Sequence, residues 1–169
     1  MSTIPRRTTM RLASLLLLAG AAALLAADQS ALPAFVSAAD VAKLIQRANT
    51  ERKPDQINFT QRLSNHGTYR ATFESRKAGK ATNPNIHETD TELVYVVDGA
   101  GMFTLGGTLK DEKRTNEANR SGSGINGGNK RHIAKGDFFI VPEGIAHAFT
   151  DVEGTLVIIS VHGPKGIDK

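Results

Sequence analysis

A short apolar stripe near the start of the chain predicts an amphipathic helix. Its members recur at positions i, i+3, i+4 and i+7, the spacing of one helical face: Val41, Leu44, Ile45 and Ala48. Just before the stripe, Ser37 and Asp40 stand three residues apart, as in a capping box that satisfies early helical N–H groups. Pro54 should end the helix, because the residue before a proline is pushed out of helical geometry. We expect this helix to pack on the outside of the domain that follows.

From Ile57 onward the apolar positions recur with a period of two, which indicates strands. Between residues 68 and 74 one face carries Tyr69, Ala71 and Phe73, and the other face is polar. Further short strands are predicted between glycine, proline or aspartate residues, at 93–97, 101–105, 138–141, 146–150 and 155–161. Many short strands separated by turn residues are typical of a sandwich or a small barrel. The pattern therefore predicts an all-β fold.

Two of these strands are apolar on consecutive residues, which requires cover on both faces. They are residues 93–97 and 156–159. The N-terminal helix or a second barrel would supply that cover, so we expect a homodimer. Tyr95 is interpreted as a packing residue, and at least one ring of the Phe138–Phe139 pair should belong to a core or an interface.

One segment interrupts the alternation. Residues 110–131 are dense in Lys, Glu, Asn, Ser and Gly, too polar to bury and too long for a hairpin turn. We interpret the region at about 107–131 as a solvated loop between strands. A lid over the mouth of the barrel is the alternative.

The first residues have the layout of a secretory signal peptide. A basic stretch with Arg6, Arg7 and Arg11 precedes an uncharged Leu/Ala run that ends at Ala27. The run is short and alanine-rich for a membrane span, which needs about 20 apolar residues, and a retained anchor is the alternative. We therefore expect a signal peptide at 1–27, with a second candidate cut after Ala38, and a periplasmic or secreted protein without a membrane span.

Removal of the leader changes the charge balance. Residues 1–27 contain three of the 21 basic residues and none of the 17 acidic ones, so the remaining formal charge is about +1. Lys and Arg are scattered among Asp and Glu, which argues against a nucleic-acid partner. About 140 residues remain, enough for one domain, with a helical segment at 28–56 and a barrel at 57–163. Because the chain has no cysteine, it has no disulfides.

Metal-ligand side chains stand in two glycine-bounded stretches. His87 and Glu92 lie in the first, and His147 lies in the second. Two neutral imidazoles and a carboxylate suit a divalent transition metal with open coordination positions. Since residues two apart on a strand share a face, Asn85 should look into the same cavity as His87, and Glu92 can return to it beyond a turn. The alternative is that these groups are satisfied polar residues filling a barrel interior without metal.

These two stretches resemble the paired motifs of the cupin superfamily. The first family motif is G-x-x-x-x-x-H-x-H, then three or four residues, E, six residues and G. Gly79, His87, Glu92 and Gly99 match it. The second motif is G-x-x-x-x-x-P-x-G-x-x-H-x-x-x-N, and its matches are Gly136, Pro142, Gly144 and His147. The resemblance, to small single-domain cupins of type-2 kind exported by bacteria, implies a double-stranded β-helix, or jelly-roll barrel.

The chain departs from the family motifs at two positions. Asn85 stands where the family often has its first histidine, and Asp151 replaces the final asparagine. An amide oxygen is a weaker ligand than imidazole, so we expect Asn85 to contact a bound water or substrate, and His87, Glu92 and His147 to hold the metal. His66, His132 and His162 are interpreted as isolated histidines, His132 exposed and the other two at strand ends.

The resulting hypothesis is an exported cupin that binds one divalent transition metal, Fe, Mn, Ni or Zn. The resemblance implies small-molecule chemistry of dioxygenase, decarboxylase or isomerase type, but no general base stands out beside the ligands. Whether the protein is an enzyme is therefore left open. The alternatives are a non-catalytic barrel for a small organic or sugar ligand and a dimerisation module without metal.

Overall fold

The computed structural model describes residues 35–79 and 82–166, which form one helix and eleven strands. The elements are α1 Ala38–Glu51, β1 Asn58–His66, β2 Tyr69–Lys77, β3 Asn85–His87, β4 Asp90–Leu105, β5 Thr108–Lys110, β6 Lys113–Asn116, β7 Asn119–Ser121, β8 Gly124–Asn126, β9 Asn129–Ala134, β10 Phe138–Val141 and β11 His147–Pro164. The predicted signal peptide lies outside the described residues. Within them, no helix has both the length and the apolar character needed to cross a bilayer.

Nine of the eleven strands form a curled antiparallel sheet built around β4 and β11, and β5 and β8 form a separate two-stranded sheet. These two strands pair along most of their length, from Asp90 opposite Pro164 to Leu105 opposite His147. On one side β11 also pairs with β2, which pairs with β1. On the other side β4 pairs with β10 and with β9. The result is a jelly-roll barrel, as the sequence predicted.

Two long strands replace four of the predicted short ones. The sequence placed breaks near Gly99 and between 151 and 154, and the structure places bends there instead. Gly99 has φ of 80° inside β4, and Asp151 and Gly154 have φ of 47° and 72° inside β11. The pairing register between the strands shifts at this point. Residues with left-handed φ therefore bend the sheet here without ending its strands.

The helix forms as its sequence predicts and covers part of the outer face of the sheet. The Ser37 hydroxyl accepts from the backbone N–H of Asp40 at 3.1 Å, and the Asp40 carboxylate accepts from the N–H of Ser37 at 3.2 Å. Leu44 and Ala48 then pack against Phe73 and other side chains of β1, β2 and β11. Full burial of a ring such as Phe73 stabilises the fold by about 1.5–3 kcal/mol.

A second apolar cluster fills the barrel interior. It consists of Val94, Val96, Phe103, Ile133, Val141, Phe149, Leu156 and Ile158. Val157, between two of these residues, belongs to the outer cluster under the helix. The two-faced apolar pattern of this strand therefore reflects burial inside and outside the barrel.

The prediction of a loop without strands at about 107–131 is wrong. That region contains β5 to β8 and the start of β9, and β9 pairs with residues 100–105 of β4. All four residues of β6 are exposed, so the side chains are solvated as expected. The polar composition does not exclude strands here, because backbone pairing at the edge of a sheet needs no apolar side chains, and β6 and β7 extend the sheet from β3. Glycines with positive φ at 106, 107, 127 and 128 supply the turns.

Candidate metal centre

Three strands bring polar side chains to one cavity inside the barrel. β3 ends at His87, Glu92 is the third residue of β4, and β11 carries His147 at its start and His162 near its end. Strand pairing places His162 opposite Glu92, and His147 opposite Asn85. All five side chains line an open cavity of about 450 Å³. Residues far apart in the chain therefore meet because β11 contacts both β3 and β4.

Glu92 lies at the centre of this cluster and is only 4% exposed. Its Oε2 is 3.4 Å from Nε2 of His147, and its Oε1 is 3.6 Å from Nε2 of His162. Oε2 is buried and has no hydrogen-bond partner among the residues that the structure describes. An unpartnered buried carboxylate oxygen is costly and calls for an explanation such as an ion.

Two of the three histidines have an oxygen atom within hydrogen-bond distance of Nδ1. Nδ1 of His87 is 2.5 Å from Oδ1 of Asn119. Nδ1 of His147 is 3.3 Å from the carbonyl oxygen of Ile145. Nδ1 of His162 is 3.8 Å from the carboxylate of Asp90 and has no hydrogen-bond partner among the described residues. Metal-binding histidines commonly have a carbonyl or carboxylate on the second ring nitrogen, which orients the ring and fixes its tautomer. His87 and His147 therefore have the kind of contact that orients a metal-binding histidine.

Burial controls the protonation of the cluster. It lowers the pKa of His147 to about 3, and the nearby His87 ring adds to the effect. The pKa of His162 falls to about 4, again through burial first and His87 second. In contrast, burial raises the pKa of the Glu92 carboxyl to about 7, with a further contribution from the Glu74 carboxylate. Both imidazoles are therefore neutral at pH 7, which is the form that binds metal.

The geometry fits a transition metal. One carboxylate oxygen of Glu92 and one nitrogen each of His87 and His162 lie within 4.8 Å of one another. Two ligand atoms on a tetrahedral zinc ion, each about 2.1 Å from the metal, are about 3.4 Å apart. The contacts of Glu92 with His147 and His162, at 3.4 and 3.6 Å, are close to that spacing. A nitrogen-rich set with one carboxylate suits Fe, Mn, Ni or Zn.

Sequence reasoning found part of this group and missed one member. His87 and Glu92 lie together as predicted, and His147 lies beside Glu92, but the tight three-residue group contains His162. The interpretation of His162 as an isolated histidine is therefore wrong, although it does lie near the end of a strand. The signal was the period of two along β11, since Leu156 and Ile158 face the barrel interior and His162 follows on the same face.

The other candidates occupy different environments. Asn85 lines the cavity beside His87, as its position on the strand predicted. Tyr95 faces away from Glu92 as expected, but it is 46% exposed, so it is not packed within the single chain. His132 is exposed, as predicted, and contacts Glu153 at 3.0 Å. Tyr95 and His132 do not belong to the site.

A buried ion pair forms another wall of the cavity. Nη2 of Arg76 is 2.6 Å from Oε2 of Glu74, and the guanidinium lies 4.4 Å above the Phe149 ring. Asn58 donates to the same Glu74 oxygen at 2.9 Å. Because Glu74 balances Arg76, the free charge of the cavity is that of Glu92 and of any bound ion.

The metal-free protein should lose stability on acidification. Since the folded pKa values of His147 and His162 are below the ordinary value, their contribution is present above pH 6.5 and is lost toward pH 3–4. Glu92, with a raised pKa, contributes below pH 4.5 and loses that contribution as the pH rises through 7. Two histidines outweigh one carboxyl, so the free energy of unfolding should fall by about 1–3 kcal/mol from pH 6.5 to 4.5.

Urea unfolding in a chelating buffer measures this slope. His147→Gln should flatten it, and Glu92→Gln should steepen it because the opposing carboxyl is gone. Stability that rises on acidification would contradict the protonation states given above.

Comparison with known proteins supports the fold. Residues 59–164 match the family profile described as Cupin, and the chain belongs to that family. No curated protein matches the sequence. KdgF from Halomonas sp. is 19% identical, with a TM-score of 0.50, over 68% of this chain and 87% of its own. BH2720 from Bacillus halodurans is 16% identical, with a TM-score of 0.51, over 80% of this chain and 85% of its own. At these identities the two structures show the shared fold alone.

Proposed function

We propose that this cupin binds one divalent transition metal, Fe, Mn, Ni or Zn, through His87, Glu92 and His162, with His147 as a further ligand. The observation that carries the proposal is the buried Glu92 carboxylate, whose Oε2 lacks a hydrogen-bond partner in the described part of the chain. Three histidines surround it, and Nδ1 of His87 and Nδ1 of His147 each lie beside an oxygen atom of another residue. Such a set is expected to hold a cation rather than to exist as a neutral hydrogen-bonded cluster.

The bound metal would act as a Lewis acid or redox centre, which suits dioxygenase, decarboxylase or isomerase chemistry on a small molecule. The chain's own residues would bind and orient that molecule. Asn85 lies on the same cavity wall as His87, where its amide can donate to a ligand oxygen. Burial of Glu92 and His147 keeps bulk water away from one side of the site. The cavity volume, about 450 Å³, is in the range of small-molecule sites.

Elemental analysis of the purified protein tests the metal proposal. We expect close to one transition-metal ion per chain, and loss of that ion in a His87→Ala, His162→Ala double variant. The variant His66→Ala, which removes an exposed histidine outside the cavity, serves as the control. Protein that takes up no metal from Fe²⁺, Mn²⁺, Ni²⁺ or Zn²⁺ solutions would refute the proposal.

A non-catalytic barrel for a small polar or sugar ligand is the second candidate. The observation that favours it is the lining of the cavity, where seven of the fourteen residues have amide or hydroxyl side chains and Phe149 is the one apolar residue among those described. Binding of a small ligand by protein stripped with a chelator would favour this candidate. Binding that requires the metal would favour the first.

We further propose that the protein is exported to the periplasm or secreted, because residues 1–27 have the layout of a signal peptide. Expression of the full chain followed by fractionation and N-terminal sequencing tests this. A protein retained in the cytoplasm with residues 1–27 intact would contradict it.

We also propose a homodimer through an apolar patch on the outer face of β4 and β10. Tyr95, Phe138 and Ile140 are 46%, 59% and 49% exposed, and pairing places Phe138 opposite Tyr95. A second copy would cover these side chains, as the predicted two-sided burial requires.

The double variant Phe138→Lys, Ile140→Lys should be monomeric. Each lost apolar contact is worth about 1.5–3 kcal/mol, so association should weaken about a hundredfold or more. Analytical ultracentrifugation measures it, with Phe35→Lys as the control for an exposed ring outside the patch. A wild-type monomer at high concentration would contradict the dimer.

A further inference from the structure

The hairpin formed by β6 and β7 contacts the proposed metal site directly. β7 pairs with β3 so that Asn119 lies opposite His87. The Asn119 side chain reaches across this pair, and its Oδ1 is 2.5 Å from Nδ1 of His87. The contact joins the predicted polar loop to a candidate ligand, and no sequence motif pointed to it.

A chain of hydrogen bonds fixes which way the Asn119 amide points. The backbone N–H of Ala118, which can only donate, donates to a side-chain oxygen of Asn116 at 3.0 Å. The same Oδ1 of Asn116 is 2.8 Å from Nδ2 of Asn119, which must donate to it. Oδ1 of Asn119 is therefore the atom that faces His87.

The orientation of Asn119 determines the tautomer of His87. Since the amide oxygen can only accept, Nδ1 of His87 must carry the proton and donate. In the neutral form of the ring, Nε2 then has a free lone pair and is the atom through which His87 can bind a metal.

Ion pairs hold the hairpin in place beside His87. Glu88, the next residue, accepts from Nη1 of Arg114 at 2.6 Å and pairs with Nε of Arg120 at 2.8 Å. Its backbone N–H donates to the carbonyl of Ala118 at 2.8 Å. Hydrogen bonds from Arg114 lower the pKa of Glu88, so its carboxylate stays charged at neutral pH. The contact of Asn119 with His87 is thus anchored by the residues on either side of it.

We propose that Asn119 is a positioning residue, which holds His87 in the Nδ1-protonated tautomer and so sets the affinity of the site for a divalent metal ion. The affinity part rests on the proposed function, whereas the tautomer part does not. In this proposal the β6–β7 hairpin helps to position a metal ligand, in addition to being a solvent-exposed part of the fold.

The tautomer is measured on metal-free protein, independently of any metal. Long-range ¹H–¹⁵N spectra, with His87 assigned from the His87→Gln variant, should show a proton on Nδ1 in the wild type. Asn119→Leu, which keeps the size of the side chain but has no acceptor, should shift the population toward the Nε2-protonated form. A wild-type ring protonated at Nε2, or a population unchanged by Asn119→Leu, would overturn the proposal.

Metal affinity is measured by competition for Zn²⁺ and Co²⁺ with a chromophoric chelator. Asn119→Leu should weaken binding about 10–100-fold, the usual effect of removing an outer partner of a ligand histidine. Asn119→Asp keeps an acceptor oxygen and should bind at least as tightly as the wild type. Asn126→Leu, an exposed position in the same polar region, is the matched control and should leave affinity unchanged.

Comparison of Asn119→Leu with Asn119→Asp shows whether loss of the accepting oxygen causes the loss of metal affinity. Equal loss in Asn119→Leu and Asn119→Asp would show that the accepting oxygen is not responsible and would overturn the role of Asn119. Wild-type protein that binds neither ion would refute the proposed function, and the tautomer measurement would then decide on Asn119 alone.

Discussion

Replacing Glu92 by glutamine should remove the metal ion and at the same time stabilise the metal-free protein at pH 8. The amide is neutral and a weaker ligand than a carboxylate, so affinity should fall by more than about a hundredfold, beyond the usual effect of an outer-shell change. The same change removes a buried charge whose Oε2 has no hydrogen-bond partner in the described residues. Loss of function and gain of stability are therefore expected from a single substitution.

The stability gain should depend on pH. Because burial raises the pKa of Glu92 to about 7, the wild-type carboxyl is ionised at pH 8 and largely protonated at pH 5. In a chelating buffer Glu92→Gln should gain about 1–3 kcal/mol at pH 8 and little at pH 5.

Metal content by elemental analysis and thermal unfolding at the two pH values measure both effects. Glu153→Gln makes the same chemical change at an exposed carboxylate outside the cavity, and should alter neither quantity. Full metal content in Glu92→Gln, or destabilisation of equal size at both pH values, would contradict the account of Glu92.

Metal affinity and the stability of the metal-free protein change in opposite directions because a preformed metal site destabilises the protein when it is empty. A carboxylate buried among neutral imidazoles destabilises the folded protein when no cation is present, and binding of a cation offsets this unfavourable free energy. Glu92 has its two oxygens 3.4 and 3.6 Å from two histidine nitrogens, and no donor in the described residues compensates Oε2. The cluster is thus arranged for a ligand and not for the stability of the empty barrel.

The fold could be predicted from sequence where local patterns decide it. The helix has its own apolar stripe and its own capping box, and β10 has both of its ends marked by turn residues. The outcome differs at the bends, where Gly99 and Gly154 have positive φ inside continuous strands. A turn residue and a bend residue look the same in a sequence, because both need left-handed backbone. Only the pairing of β4 with β11 across the bend tells them apart.

The residues of the site also fall into those placed by local sequence and those placed by long-range strand pairing. His87 and Glu92 are five residues apart, so a strand and a turn suffice to place them together. His162 enters the group because the register of β11 sets it opposite Glu92. Asn119 reaches His87 because β7 pairs with β3. Residue spacing along β11 places His162 on the interior face, but only long-range pairing sets it opposite Glu92. No spacing pattern places Asn119 beside His87.

Gly99 carries the largest stability effect that we expect outside the site. Its φ is 80°, and a Cβ built on it would lie 1.8 Å from the carbonyl oxygen of Thr155 on the paired strand. Gly99→Ala should therefore both strain the backbone and push β11 away from β4. We expect a loss of about 3 kcal/mol or more in the free energy of unfolding.

Gly154→Ala is the matched control, since it separates the clash from the strain. Gly154 has a similar φ of 72°, but a Cβ there would meet nothing within 4 Å. Gly154→Ala should lower the free energy of unfolding only by the strain of alanine in left-handed backbone, about 1–2 kcal/mol. Urea unfolding of both variants measures the difference. Equal losses would mean that the close approach of Gly99 to Thr155 has no energetic weight.

The same pair of variants tests whether the bend holds the metal site together. The register that places His162 opposite Glu92 continues from this bend along β4 and β11. If Gly99→Ala displaces β11, the distances from Glu92 to His147 and His162 should change together, and Zn²⁺ affinity should fall in Gly99→Ala but not in Gly154→Ala. Undiminished affinity in a destabilised Gly99→Ala protein would show that the site is positioned by the strand ends alone.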